Sequence, residues 1–306
     1  MKLVMQFAAM NFAALIPILV GVAGVTISPA SAVETQPVTI RFAAKVGKQP
    51  FACGATYRLG KPATPQTLSD FRFYVAEVAL IDAKGKTVTM QLEQDSKWQY
   101  QNVALLDFEN KSGACANGTP EMRDRVIGSV PKGTYTGLKL TLGIPFELNH
   151  EDSALAPSPL NLTALWWNWQ FGYKFARIDL QSPTMAAPMG DHHKHQEPVG
   201  AETSSGFPIH LGSTGCQAGS GNEKPKRCMH GNRATVVLPR FDPARNVLVA
   251  DLAQLVATTN LSQNQPKTAP GCMSEPNDMD CIRIMKALGL PFMKNKATLQ
   301  TFFRIE

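Results

Sequence analysis

The sequence predicts an all-β fold, an antiparallel β-sandwich or barrel-like domain with long disulfide-pinned loops. Three observations carry this expectation. Short segments alternate apolar and polar residues with period two, Gly, Pro and Asn punctuate them, and helical periodicity is scarce.

The chain of 306 residues opens on a leader. Residues 1–32 hold Lys2, no acid, a long apolar run and a closing Ala30-Ser31-Ala32. That pattern predicts a secretory signal peptide cleaved after Ala32. An uncleaved anchor is the alternative, because the apolar run approaches spanning length. The remainder, 33–306, is expected to be a single exported β domain, soluble in a bacterial periplasm, without a membrane attachment after cleavage.

Val38 to Val46 places Val38, Ile40, Phe42, Ala44 and Val46 on one face of a strand. Phe71 to Asp82 and Lys86 to Leu92 read as a hairpin across Lys84-Gly85. Further strands are expected at Trp98 to Phe108, Thr134 to Leu142, Gly172 to Leu180, Arg233 to Leu238, Asn246 to Leu252 and the final TFFRIE. Between the strands at 98–108 and 134–142 the sequence reads as a loop. Helix is expected only at Asp251 to Thr258 and Asp280 to Leu288. Two polar, Pro-rich insertions, Ser182 to Gly206 and Ser262 to Asp280, read as loops.

Six cysteines, Cys53, Cys115, Cys216, Cys228, Cys272 and Cys281, follow the leader. An even count behind an export signal reads as a disulfide framework. We expect Cys53 with Cys115, Cys216 with Cys228 and Cys272 with Cys281, the last two closing short loops. A zinc or copper thiolate cluster is the rival, set aside because no pair has CxxC spacing and the compartment oxidises. The net charge of +6 is spread along the chain and reads as a solvated surface. Basic residues do not interleave with aromatics, which excludes nucleic acid as a partner.

The unusual chemistry gathers between Thr141 and Leu180. Asn149-His150 precedes Glu151 and Asp152, and Trp166, Trp167 and Trp169 follow. Downstream, HLGSTGC sets His210 near Cys216. Each histidine has company that could fix its ring, as a metal-binding imidazole requires. Histidines bonded into turns without a ligand are the plain reading. On a strand Trp167 and Trp169 would share a face, forming a core cluster, a sugar-stacking platform or a redox-active surface. His192, His193 and His195, with Met185 and Met189, make a loop suited to weak copper capture or to nothing beyond solvation.

DFRFYVAEVAL at Asp70, WQYQNVALLDFEN at Trp98, GIPFELNH ending at His150, SPLN at Ser158, WNWQFGYKFARID at Trp167 and HLGSTGC at His210 together resemble one family, in order over most of the chain. It is the four-Cys-motif family of the metallo-mystery pair, the MbnP-like proteins. The resemblance implies an exported copper-binding protein, not an enzyme. Its partner would be a diheme peroxidase of the MauG type, and some members accompany a methanobactin copper-uptake system. That partner would oxidise a tryptophan to kynurenine, whose aniline nitrogen and ketone oxygen can ligate where indole cannot. Carried over residue by residue, the resemblance assigns the metal site to His150, His210 and Trp167 or Trp169, with Trp98 a further candidate for modification. The pair Cys272 and Cys281 exceeds the four-cysteine pattern, and the His/Met loop lies outside it. The rivals are a metal-dependent hydrolase or oxidase using His150, Asp152 and His210, which lacks a nucleophile elbow or HExxH, and a sugar-binding module built on Trp167 and Trp169.

Overall fold

Period-two burial organises the structure, a computed structural model that describes residues 33–182, 206–217 and 223–306. The expected leader, 1–32, and the His/Met loop from Met185 to His195 lie outside the described residues.

In chain order the strands are β1 (Thr35–Val46), β2 (Gln49–Pro50), β3 (Thr56–Leu59), β4 (Thr64–Asp82), β5 (Thr87–Thr89), β6 (Gln91–Leu92), β7 (Gln99–Tyr100), β8 (Val103–Asp107), β9 (Arg125–Pro131) and β10 (Tyr135–Leu142). The helix α1 (Phe146–Asn149) and a 3-10 turn (Thr163–Leu165) lead to β11 (Trp166–Asn168), β12 (Gly172–Tyr173) and β13 (Ala176–Gln181). There follow β14 (Gly206–Leu211), β15 (Thr214–Gln217), β16 (Arg227–His230), β17 (Ala234–Leu238), β18 (Leu248–Asp251), α2 (Leu252–Leu255), α3 (Cys281–Ala287) and β19 (Phe303–Ile305).

Two large sheets form. One runs β19-β18-β1-β9-β6, with β2 on β1; the other runs β14-β13-β4-β10-β17, with β3, β5 and β8 also on β4 and β7 on β8. Ladders are antiparallel except β1 with β18. β11 with β12, and β15 with β16, are separate two-stranded ribbons. The all-β expectation therefore holds.

β4 is the axis. Phe71 and Phe73 enter the apolar core, where Phe71 meets Phe51 at 5.4 Å between ring centroids and Phe73 meets Phe42 of β1 at 6.2 Å. Asp70, Arg72 and Tyr74 alternate with them and are also buried. They face the opposite side, so β4 has a dry apolar face and a polar one that is covered as well. The functional residues gather on that second face.

Several expectations need correction. Trp98 to Phe108 is not one strand but the hairpin β7–β8, pairing Tyr100 with Val103 and turning where Gln101 takes φ +51°. Lys86 to Leu92 divides, β5 staying on β4 while β6 pairs with β9. The segment taken as a loop before Thr134 contains β9, which pairs with β1 from Thr35↔Pro131 to Arg41↔Arg125. Its Gly128, Ser129 and Pro131 read as turn residues, yet Gly128 lies where β6 passes so close that a Cβ would sit 2.2 Å from the Gln91 carbonyl oxygen. The two expected helices are present but shorter than their sequence windows.

All three disulfides form as expected: Cys53–Cys115, Cys216–Cys228 and Cys272–Cys281. Among the described residues no helix is long and apolar enough to cross a membrane. Three disulfides fit an exported protein.

Candidate metal centre

Register builds a buried charged ladder across four strands. Arg72 of β4 stands opposite Asp107 of β8 and Arg177 of β13, and Arg177 stands opposite His210 of β14. One step along, Asp70 stands opposite Asp179. Asp70 accepts from Arg72 Nε at 2.8 Å and ion-pairs with Arg177 Nε at 3.0 Å, while Glu109 Oε1 lies 3.9 Å from Arg72. Burial pushes the Asp107 carboxyl up to about 8 and Asp70 up to about 6, against the pull of Arg72. Burial acts on Asp179 in the same direction, but His210 and Arg177 overcome it and hold that carboxyl well below the usual range. The proton inventory of this face is thus divided unevenly among like groups.

His210 ends the ladder. Its Nε2 lies 2.7 Å from Asp179 Oδ1, so Nε2 carries the hydrogen and Nδ1 the lone pair. Burial lowers the His210 pKa despite that carboxylate. Its backbone is clamped to the segment at 272–274: His210 N–H donates to the Cys272 carbonyl at 2.9 Å, and Ser274 Oγ donates to the His210 carbonyl at 3.0 Å.

His150 is presented by α1, at whose C-terminal cap it lies, with Phe146 5.0 Å away between ring centroids. The ring is held from both sides. Nδ1 lies 3.1 Å from the Trp169 carbonyl, which can only accept, so Nδ1 carries the hydrogen and Nε2 the lone pair. Asn149 orients it further: its Oδ1 accepts from Tyr173 N–H at 3.0 Å, which turns Nδ2 toward His150 Nε2 at 3.3 Å. Burial lowers the His150 pKa, which favours the neutral ring that coordinates metal. Gly172, at φ +77°, is required here, because a Cβ would come within 2.6 Å of Asn149 Oδ1.

Two tryptophans each meet one of the histidine segments. Trp167 lies over Gly212, two residues beyond His210, so closely that a Cβ there would be 2.3 Å from its Cζ3. Trp169 supplies the carbonyl that fixes His150. Both residues are half-buried, and the neighbouring Trp166 Nε1 is buried with no hydrogen-bond partner among the described residues. Trp98 is half-buried on the hairpin β7–β8, with Lys97 Nζ 5.2 Å from its ring.

The sequence profile of the MbnP family matches residues 35–274. The chain belongs to the MbnP family. Among solved structures it is similar to MbnP from Methylosinus trichosporium, at 32% identity and a TM-score of 0.74, covering 89% of this chain and 99% of that one. No curated protein matches.

The motifs that mark this MbnP-family chain are the ones that build the site. ARID and DFRF meet as paired rows of charge, LLDFEN adds Asp107 and Glu109, and HLGSTGC carries His210 and Gly212. The structure sets Trp169 against His150 and Trp167 against the His210 segment. The donors that close within 4.8 Å of one another around His150 are the sulfurs of Cys216 and Cys228, a group that does not include His210. Trp167 and Trp169 do not share a strand face as expected, because β11 ends at Asn168 and Asn168 Oδ1 caps the turn by accepting from Gln170 and Phe171 N–H. Asp152, assigned to the rival hydrolase, caps a local turn by accepting from Ala154 N–H at 2.9 Å. Sequence reasoning passed over Asp179, Arg177, Arg72 and Asp70 as site residues. Charged residues alternating inside strands that are otherwise wholly apolar were the available signal.

Proposed function

We propose that this MbnP-family chain is a periplasmic copper-binding protein, not an enzyme, whose site is completed when a partner diheme peroxidase of the MauG type converts a tryptophan to kynurenine. One observation carries the reading: His150 and His210 each have one ring nitrogen tied to a fixed acceptor, Trp169's carbonyl and Asp179's carboxylate, which leaves the other with a lone pair. Anchoring the non-ligating nitrogen sets tautomer and ring direction before metal arrives, the usual arrangement around metal-bound imidazole. Imidazole nitrogen suits copper, and the residues present fit such an ion.

Trp167 and Trp169 are the residues open to modification. Cleaving the Trp167 indole would add an aniline nitrogen and a ketone oxygen beside the His210 segment, and cleaving that of Trp169 would do so on the residue whose carbonyl holds His150. Asp179 makes the His210 ring a better donor by accepting its hydrogen, and Arg177 keeps Asp179 ionised. A copper-uptake system is the further partner this reading suggests.

The test compares protein made with and without the diheme oxidase. Peptide mass spectrometry should find the oxidised residue at Trp167 or Trp169, and copper affinity should rise with its yield. His150→Ala and His210→Ala should each abolish the high-affinity site in folded protein. Equal affinity of modified and unmodified chains, or full affinity in both variants, would end the proposal.

A further inference from the structure

We propose that Cys216, Cys228 and His150 form a second, redox-gated metal site: when a dithiol opens the Cys216–Cys228 disulfide, the two thiolates and the imidazole together bind one monovalent copper ion. The inference shares His150 with the reading above but needs neither His210 nor an oxidised tryptophan, so the two fail separately.

Cys228 Sγ is 3.4 Å from His150 Nε2, and the three ligand atoms lie within 4.8 Å of one another. The nitrogen facing the sulfurs is the one with the lone pair, because Nδ1 is committed to the Trp169 carbonyl. While the disulfide is intact neither sulfur is a thiolate, and His150 is the sole strong donor of the three. Reduction changes the donor set from one borderline nitrogen to one nitrogen and two soft thiolates, which selects monovalent copper.

The scaffold outlasts the bond. Cys216 and Cys228 are directly opposed on the β15–β16 ribbon, whose ladder also pairs Thr214 with His230 and Gln217 with Arg227. The ribbon is fastened elsewhere by Thr214 Oγ1 to the Ser274 carbonyl at 3.1 Å and Asn232 Nδ2 to the Gly212 carbonyl at 2.8 Å. His150 is held by α1 and Trp169, independently of the sulfurs. Opening the disulfide therefore leaves all three donors facing one another.

A thiolate of the dithiol attacks Sγ of Cys228, the less buried of the two residues, and Cys216 leaves as a thiolate. The second thiol of the reductant displaces Cys228 from the mixed disulfide, so the dithiol ends oxidised and both cysteines reduced. Binding copper then returns the two thiol protons to solvent.

The experiment uses the full chain made without the diheme oxidase, treated with limiting dithiothreitol under argon. Differential alkylation and peptide mass spectrometry identify the opened disulfide. Titration with monovalent copper against bathocuproine disulfonate reads affinity, and far-UV circular dichroism reads the fold. The expected result is that Cys216–Cys228 opens first, the fold persists, and one copper binds on the order of 100-fold more tightly than to oxidised protein. His150→Ala should weaken that binding by about tenfold or more. Cys216→Ser with Cys228→Ser should remove it, and wild type alkylated at both sulfurs gives the same comparison without a substitution. Preferential opening of another disulfide, unfolding on reduction, binding indifferent to His150→Ala or retained without the two sulfurs, or preference for zinc over copper would each overturn the proposal.

Discussion

Replacing Arg72 by methionine tests the physical basis of the site most directly. The side chain is 2% exposed and lies among Asp70, Asp107 and Glu109, and methionine keeps an unbranched stem of similar reach while deleting the charge. The change leaves buried carboxylates facing one another with less compensation. Breaking a buried pair from one side costs about 3–5 kcal/mol, which for a domain of this size moves the urea midpoint by about 1 M. The pH dependence carries the sharper signature. Asp70 and Asp107 have folded pKa values raised to about 6 and about 8, so the folded state binds more protons than the unfolded one. Their contribution is complete below the unfolded carboxyl pKa and is lost as pH rises through about 6 and then about 8. Without Arg72 both values rise further, so the penalty should be greatest near pH 8 and should shrink toward pH 5 as the carboxyls take up protons. Equilibrium urea unfolding at both pH values measures it. A penalty below about 1 kcal/mol at the higher pH, the worth of an exposed pair, would refute the reasoning. So would a penalty that grows on acidification.

Asp107→Asn should flatten the decline of unfolding free energy between pH 6 and about 8, because the group whose ionisation is opposed by burial is gone; thermal unfolding across that range checks the slope. Gly212→Ala should displace the Trp167 indole, whose Cζ3 would lie 2.3 Å from the new Cβ, at a cost of about 1–3 kcal/mol and with a shifted tryptophan emission spectrum. Asn149→Ala should raise copper affinity in the oxidised-tryptophan form by roughly 2–10-fold, since the His150 Nε2 lone pair no longer has to be released from the Asn149 amide, a hydrogen bond worth about 1 kcal/mol; chelator competition measures it.

What the sequence determined by itself is what local chemistry specifies. Alternation in VTIRFAAKV is a property of the strand's own pleat, so β1 and its inward residues were legible without a partner. The disulfides Cys216–Cys228 and Cys272–Cys281, closing 12 and 9 residues, and the peculiarity of His150 and His210 were legible for a similar reason, since residue type and short spacing carry them, and Cys53–Cys115 followed as the remaining pair. The tertiary structure decided the rest through register. Asp70 and Arg72 alternate along β4 and Arg177 and Asp179 along β13, but with Asp107 of β8 they become one ladder only when three strands align, and that register is not written in any one strand. β9 was hidden because its glycine answers to a crossing strand and not to a turn. Likewise His150 meets Cys228 across 78 residues of sequence, at 3.4 Å. Alternation tells each side chain which face of its own sheet to occupy. Which partner waits on that face is set by the packing of distant segments.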